Sequence, residues 1–339
     1  MSRNDANGKL TEAKGQAGPH GGKHSGKHNE KHSAENSGRI DFVGKVNFFG
    51  GISLVMVIIS LVYLAIHGIS YGIDFRGGTE IQVKFATPVT IDELRGPIEA
   101  LKLGEIGVQA FGDQNEYLIR FQGNKGATDK ETNDLLNQSI SRIKEIITTT
   151  FASHTPDIRR VDTVGPQVGA ELKRNGFLAV FYCLLVILIY VGLRFDYKYS
   201  PGAVICLFHD AVITLAIFVF VGKEVNIPIL AAILTLIGFS LNDTIVVFDR
   251  IRETEHAYRG KGIRFIINKA INDMLTRTLI TSGTVFVSAL CLYLFAGGTV
   301  GDIAFAICVG SVFGTYSSIY VAAPLILFVE KLRSVQATA

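Results

Sequence analysis

NIPILAAILTLIGFSLNDTIVVF, the stretch from Asn226 to Phe248, decides the fold class, because it is long and apolar enough to cross a bilayer as one helix. Asn242 and Asp243 nevertheless lie inside it. Leaving an ionised aspartate near the centre of a lipid-facing helix costs about 2.5–3.5 kcal/mol on insertion scales, so such a residue normally faces a partner, water or a substrate path. The stretch therefore predicts a membrane protein and marks Asp243 as a candidate functional residue.

The composition of the whole chain agrees with a polytopic α-helical membrane protein. Of the 339 residues, 48% are hydrophobic, which exceeds what a soluble domain of this size usually carries. Six segments are long and apolar enough to be transmembrane helices, and the first is expected to be an uncleaved anchor because a long segment precedes it. The segments lie near residues 46–69, 176–194, 201–222, 226–248, 277–296 and 302–329.

Lysine and arginine in the short loops predict the orientation of the chain. They occur between spans two and three, between spans four and five, and after span six, whereas the short loops on the other side offer only Lys223. By the positive-inside rule, both termini are cytoplasmic and the long loop after the first span is extracytoplasmic. The net charge of +3 reflects this asymmetry and indicates no nucleic-acid partner. The basic loop residues are Arg194, Lys198, Arg250, Arg252, Arg259, Lys261, Arg264, Lys269, Lys331 and Arg333.

The predicted domains follow from this orientation: a cytoplasmic tail (1–38), transmembrane helix 1 (39–70), an extracytoplasmic α+β domain (71–175), transmembrane helices 2–6 (176–330) and a cytoplasmic C-terminal tail (331–339). Within the outer domain, strands and helices are predicted in the order β-α-β-β-α-β, which is the ferredoxin-like arrangement. Both helices begin with a capping-box pattern, at Thr90 and Thr128. Predicted strands cover 73–85, with a break at Gly77-Gly78, 106–111, 117–121 and 157–164, and predicted helices cover 90–103 and 128–151.

The N-terminal tail carries His20, His24, His28 and His32 at a strict spacing in a Gly- and Lys-rich segment. Such a segment buries too little apolar surface to fold, so a disordered tail is predicted, with metal capture as the alternative. The four cysteines stand singly in apolar runs and are interpreted as packing residues. No metal site, cofactor or enzyme active site is predicted, since the sequence lacks a nucleotide-binding loop and a paired nucleophile motif.

Arg277 begins the fifth span and Asp243 lies near the same end of the fourth, so the two can sit at similar depth on neighbouring antiparallel helices. Their charges would then compensate each other. Two static interpretations stay open: a buried ion pair that fixes helix register, and an arginine that extends to the headgroups. Thr281, Thr284 and Ser288 continue the face of Arg277 as a polar stripe. The stripe either lines a hydrated path or consists of hydroxyls bonded to their own helix.

The third span contains the adjacent pair His209 and Asp210. Because adjacent side chains point about 100° apart on a helix, the two are not expected to form one two-residue site. Asp210 is a second candidate proton carrier, with a structural hydrogen-bonding role as the alternative, and His209 is interpreted as a satisfied histidine of the bundle. In the sixth span, Gly310, Gly314 and Ser318 have a small-xxx-small spacing that allows close helix packing.

Four segments together carry a family resemblance: YGIDFRGGTEIQVKF (Tyr71–Phe85), VGPQVGAEL (Val164–Leu172), GFSLNDTIVVFDRIRE (Gly238–Glu253) and RTLITSGT (Arg277–Thr284). They resemble the SecF family, the smaller membrane subunits of the SecDF protein-export complex in the resistance-nodulation-division superfamily. The resemblance covers about residues 39–333 and leaves out the N-terminal tail.

This resemblance implies one half of a twelve-helix arrangement built from parallel repeats, completed by SecD. It implies work in the bacterial inner membrane with the SecYEG channel, the SecA motor and an exported unfolded polypeptide, where protons drive late translocation and release. Asp243, with Asn242 beside it, matches the family's carboxylate of the fourth helix, and Arg277 matches the arginine of the fifth. Two motifs that join the outer domain to the bundle match Asp74, Arg76, Gly77, Gly78, Gly165, Pro166, Gln167 and Gly169.

Two other functions stay open. In the first, the subunit is a structural scaffold that holds SecD at the channel without carrying protons. In the second, it is a half-size exporter of small molecules or lipids from the same superfamily. The single small outer domain argues against the second, because such exporters carry larger outer regions.

Overall fold

A computed structural model of the chain describes residues 40–104, 106–111, 115–123, 129–195 and 199–338, with backbone alone for 129–130 and 331–338. In this part of the chain, six helical segments are long and apolar enough to cross a membrane. They are α1 (Val46–His67), α5 (Pro166–Arg194), α6 (Ser200–Phe220), α7 (Ile227–Ala257), α8 (Ile263–Phe295) and a last span. The last span consists of α9 (Gly298–Ser317), a π-helical turn (Ser318–Ala322) and α10 (Ala323–Thr338). The chain is therefore a polytopic helical membrane protein.

Several of these helices extend beyond the apolar segments that predict them. The helix of the second span begins at Pro166 rather than at 176, and that of the fifth begins at Ile263 rather than at 277. Proline suits the first turn of a helix because its missing N–H has no partner there in any case. Hydropathy marks only the part of a helix that is apolar, whereas the backbone hydrogen bonds continue into polar sequence.

Between α1 and α5 lies a small domain with a four-stranded sheet, here called the sheet domain. Its strands are β1 (Gly78–Lys84), β2 (Ile106–Ala110), β3 (Glu116–Phe121) and β4 (Asp157–Val164). The strand order is β2-β3-β1-β4, and every neighbouring pair is antiparallel. Helices α3 (Ile91–Glu99) and α4 (Asp129–Thr150) follow β1 and β3 in the chain. The elements of the domain therefore occur in the predicted order.

One face of this sheet forms the core of the domain with both helices. Ile81 of β1 and Ile119 of β3 are paired across the sheet and fully buried. They belong to one buried cluster with Leu94 of α3 and Ile143 of α4. The predicted capping box at Thr90 is confirmed, because its hydroxyl accepts from the Glu93 backbone N–H and the Glu93 carboxylate accepts from that of Thr90. The box predicted at Thr128 lies outside the described residues.

The predicted strand over 73–85 is too long at its beginning. Residues Ile73–Arg76 instead form a single helical turn, α2, and β1 begins only at Gly78. Gly77 and Gly78 both have positive φ values, of 75° and 129°. Only glycine adopts these angles without steric cost, so the pair ends the turn and redirects the chain into the sheet.

The interior of the helical bundle consists mainly of α6 and α7, which are the most buried spans. Helices α1, α5 and α8 are largely exposed, with outward-facing apolar side chains such as Ile59, Phe181 and Leu294. Such faces are suited to lipid or to another membrane subunit.

The predicted disordered tail 1–38, with its four histidines, and Lys198 lie outside the described residues, as do the side chains of Lys331 and Arg333.

Candidate functional site

Asp243 is buried between α7 and α8, with 4% of its surface exposed. Its carboxylate oxygen Oδ2 accepts a hydrogen bond of 3.0 Å from the Ser282 hydroxyl of α8. The helix–helix packing therefore gives this carboxylate one neutral donor. A buried carboxylate with one neutral donor is costly in its charged form.

Arg277 lies on the same helix as Ser282, but its side chain faces outward. No ion pair within 4 Å joins it to Asp243 in the described part of the chain, although its charge still acts on this carboxylate at longer range. The static buried ion pair considered from the sequence is thus not found. The two residues are on neighbouring helices as predicted, and the partner that touches Asp243 is Ser282.

The rest of the predicted stripe is also exposed on α8. The Thr281 hydroxyl donates to the Arg277 carbonyl at 3.1 Å, and the Thr284 hydroxyl donates to the Thr281 carbonyl at 2.8 Å. These are the intrahelical bonds of the second interpretation. Ser288 is exposed on the same helix, and Asn242 is exposed on α7. We call Arg277, Thr281, Thr284 and Ser288 the outer polar band.

Asp210 lies at the centre of a second polar cluster and is fully buried. Its Oδ2 accepts from the Ser240 hydroxyl of α7 and, at 2.8 Å, from the Ser317 hydroxyl of α9. Its Oδ1 lies 2.8 Å from Nδ1 of His209. The expectation that His209 and Asp210 do not form one site is wrong. Their Cα–Cβ bonds diverge, but the imidazole and the carboxylate are long enough to turn toward each other along the helix surface.

The two glycine motifs pack directly against each other where the sheet domain joins the bundle. A Cβ atom on Gly77 would lie 2.8 Å from the Pro166 Cα, and one on Gly169 would lie 2.9 Å from the Gly77 nitrogen. A Cβ on Gly78 would lie 2.8 Å from the Phe121 carbonyl oxygen of β3. Glycine is thus required on both sides of this contact, which brings α2 against the first turn of α5.

Asp74 and the loop before α7 make a second connection between the sheet domain and the bundle. The Asp74 carboxylate accepts a 3.0 Å hydrogen bond from the Ile227 backbone N–H, in the first turn of α7. Val225 donates its N–H to the Ser70 carbonyl at 2.7 Å and accepts from the Gly72 N–H at 2.8 Å. The helix that carries Asp243 therefore begins on residues of the Asp74 motif.

A cluster of charged side chains connects the sheet domain to the bundle at the same junction. Arg120 of β3 contacts Glu80 of β1 at 2.7 Å and also Glu224, in the loop before α7. Burial raises the pKa of Glu224, and the nearby charge of Arg120 opposes that rise. Arg76 and Arg120 line an adjoining cavity of about 220 Å³.

Two other residues of the second motif are less enclosed than Gly169. Gln167 is exposed, and Gly165 has open space around it.

Sequence analysis missed the serine partners of both carboxylates. Ser282 lies in the quoted RTLITSGT segment, directly after Thr281 of the predicted stripe. Ser240 lies in the other quoted segment, three residues before Asp243. The sequence marks Ser240 and Ser282 as hydroxyls within apolar helices, but only the packing shows which aspartate each one contacts. Ser317 and Glu224 had no signal of this kind, because each is brought to its partner by a distant element.

Comparison with known proteins gives consistent matches. The family model described as protein export membrane protein SecD/SecF, C-terminal, matches residues 142–332, which include Asp243 and Arg277. The SecD/SecF GG motif matches residues 62–89, which include Asp74, Gly77 and Gly78. These two matches therefore contain both the bundle site and the junction.

Among curated proteins, the protein translocase subunit SecF of Calditerrivibrio nitroreducens is 41% identical over 301 residues, covering 88% of this chain and 97% of the relative. That of Magnetococcus marinus is 41% identical over 292 residues, covering 86% and 92%. The crystal structure of SecDF, a translocon-associated membrane protein from Thermus thermophilus, matches with a TM-score of 0.77 at 30% identity. That match covers 86% of this chain and 39% of the solved chain.

Proposed function

Because this chain belongs to the SecF family of protein translocase subunits, we propose that it uses the proton motive force to promote late translocation and release of secreted proteins. The proposed partners are SecD, the SecYEG channel with SecA, and the exported unfolded polypeptide. The proposed location is the bacterial inner membrane with both termini in the cytoplasm. The role is transport rather than catalysis.

The observation that carries this proposal is the buried carboxylate of Asp243. An ionised carboxylate in an apolar bundle with a single neutral donor is costly, and one proton removes most of that cost. Gain and loss of a proton at Asp243 would therefore favour different packings of α7 against α8. Asp210 is a further proton-linked residue in the proposal.

The outer polar band supports a partner half in the membrane. Arg277 in particular is expensive to expose to lipid, so its side chain requires a protein, water or headgroup partner. This chain spans 39% of the solved SecDF chain that it resembles, which leaves length for a second set of helices. We infer that SecD covers the outer polar band and Asn242, and that Arg277 responds there to the charge of Asp243.

The helices that would move with Asp243 contact the sheet domain directly. Helix α7 begins at the Asp74 carboxylate, and α5 begins against Gly77. The strand order β2-β3-β1-β4 with antiparallel neighbours supports a ferredoxin-like assignment for the domain. We infer that a change in helix packing tilts this domain as a unit.

The energy available fits such a movement. One elementary charge that crosses 100 mV releases about 2.3 kcal/mol, and a pH gradient adds to it. A bias of this size shifts a two-state equilibrium by one to two orders of magnitude, at about 1.4 kcal/mol for each factor of ten. Protons therefore suit a repeated ratchet on the exported chain rather than its extraction in one step.

Asp243→Asn tests the proposal, with Asp249→Asn as the matched control. Both changes remove one carboxylate from α7, but the Asp249 side chain is mostly exposed, whereas Asp243 is buried. Export into membrane vesicles that contain SecD is measured with and without a proton gradient. We expect the stimulation by the gradient to disappear in Asp243→Asn and to persist in Asp249→Asn. Full stimulation in Asp243→Asn would reject the proton-carrier role and favour the structural scaffold.

A further inference from the structure

The His209–Asp210 pair has one buried polar atom without a partner. His209 is 2% exposed, and its Nε2 makes no hydrogen bond within the described residues. Because the Asp210 carboxylate accepts from the two serine hydroxyls, we assign the hydrogen of the imidazole to Nδ1, where it donates to Oδ1. The other nitrogen, Nε2, then carries a free lone pair.

His209 also lines a cavity of the bundle. A cavity of about 360 Å³ between α1, α6 and the last span is lined in part by His209, Ser53 and Tyr320. The His209 ring lies almost parallel to that of Tyr316, with centroids 6.2 Å apart. The Tyr316 hydroxyl is already engaged by Ser53 at 3.0 Å and by the Phe49 carbonyl at 2.8 Å.

The hydroxyl of Ser317 connects Asp210 to the last span. It lies 2.8 Å from Asp210 Oδ2 and 3.0 Å from the carbonyl oxygen of Gly314 on its own helix. One hydroxyl hydrogen serves one of these acceptors at full strength. The Gly314 carbonyl also accepts from the Ser318 backbone N–H, which is the last α-helical bond before the π-helical turn. Ser317 therefore stands at the α-to-π junction with two alternative acceptors.

We propose that His209 and Asp210 form a second proton-binding site, and that its charge controls the α-to-π junction of the last span through the hydroxyl of Ser317. A proton binds Nε2, while the Nδ1–H bond to Asp210 stays intact. The imidazolium charge then balances the carboxylate charge, so the hydrogen bond from the Ser317 hydroxyl to Asp210 weakens. The hydroxyl turns fully to the Gly314 carbonyl, shares this acceptor with the Ser318 N–H and weakens that backbone bond. Loss of the proton reverses each step.

The surroundings favour histidine as the group that changes charge. Histidine is the side chain whose ordinary titration lies between about pH 5 and 8. The other titratable groups that face the pair are Cys206 on α6, Tyr316 and Tyr320 on the last span, and Asp243 on α7. Asp243 follows Ser240 by three residues on α7, and its own carboxylate accepts from the Ser282 hydroxyl of α8. π-helical segments within α-helices are frequent at functional sites.

Amide hydrogen exchange tests this proposal without an export assay, so it is separable from the proposed function on which its biological meaning rests. The complex with SecD in lipid nanodiscs is measured at about pH 5 and about pH 8, the range in which histidine titrates. Rates are corrected for intrinsic exchange. We expect faster corrected exchange of the amides 318–322 at the lower pH in the wild type. His209→Gln and Ser317→Ala should both lose this difference.

Two matched variants complete the experiment. The Ser318 hydroxyl donates to the Thr315 carbonyl and does not touch Asp210, so Ser318→Ala should keep the pH difference. Asp243→Asn should keep it as well while losing proton-driven export. The proposal is overturned if the wild type shows no pH difference or if His209→Gln retains it. Retention in Ser317→Ala would overturn the coupling to the junction.

Discussion

At the scale of single residues, two buried aspartates on neighbouring helices have different surroundings. Asp243 has one hydroxyl donor, whereas Asp210 is contacted by His209, Ser240 and Ser317. Three donors offset more of the cost of burying a charged carboxylate than a single donor does. This contrast supports the proposal that Asp243 is the main proton carrier and that Asp210 acts together with His209.

A residue-scale prediction concerns the glycines of the second junction motif. Gly169→Ala places a Cβ atom 2.9 Å from the Gly77 nitrogen, whereas Gly165→Ala meets nothing within 4 Å. Backbone atoms cannot move aside cheaply, so we expect Gly169→Ala to destabilise the protein by about 1–3 kcal/mol. The thermal unfolding midpoint of the purified complex is the measurement. Equal midpoints for the two variants would contradict the packing argument.

At the scale of elements, α7 combines the site and the junction in one helix. It carries Asp243 in its middle, and its first turn donates the Ile227 N–H to Asp74. A carboxylate at a helix N-terminus satisfies a free N–H group and interacts favourably with the helix dipole. Asp74 thus couples the start of this helix to the motif that leads into the sheet.

Substitution of Asp74 tests that coupling. Asp74→Ala removes the acceptor of the Ile227 N–H, and the loss of one such hydrogen bond costs about 0.5–1.5 kcal/mol. Asp74→Asn retains a side-chain oxygen at the same place and serves as the control. We expect faster amide exchange in the first turn of α7 for the alanine variant than for the asparagine variant. Identical exchange in both would show that the hydrogen bond does not hold the helix start.

At the scale of the whole molecule, the bundle has a polar face that its own helices do not cover. The outer polar band on α8 and the exposed Asn242 point away from the core formed by α6 and α7. Polar side chains that face outward in the membrane are costly unless a protein or water contacts them. This uncovered face supports the proposal that the chain is one half of a larger membrane unit.

Tryptophan substitution distinguishes this face from a lipid-facing one. Thr284 lies in the outer polar band, and Val186 is 63% exposed on the peripheral helix α5. If SecD packs on the band, Thr284→Trp introduces a side chain with no space at the interface, and co-purification of SecD should fall. Val186→Trp adds the same bulk toward lipid and should leave co-purification unchanged. The proposed interface is wrong if the two variants retain SecD equally.

The sequence by itself determined the membrane spans, the order of strands and helices in the sheet domain, and the presence of carboxylates in apolar helices. These features depend on local periodicity and composition, which a single chain segment carries. Only the tertiary structure decided that Ser282 contacts Asp243, that His209 and Ser317 contact Asp210, and that Arg277 faces outward. Those contacts depend on how each helix is rotated about its axis and on which distant helix lies beside it. Neither quantity is encoded in a local pattern, because both result from the packing of all the helices together.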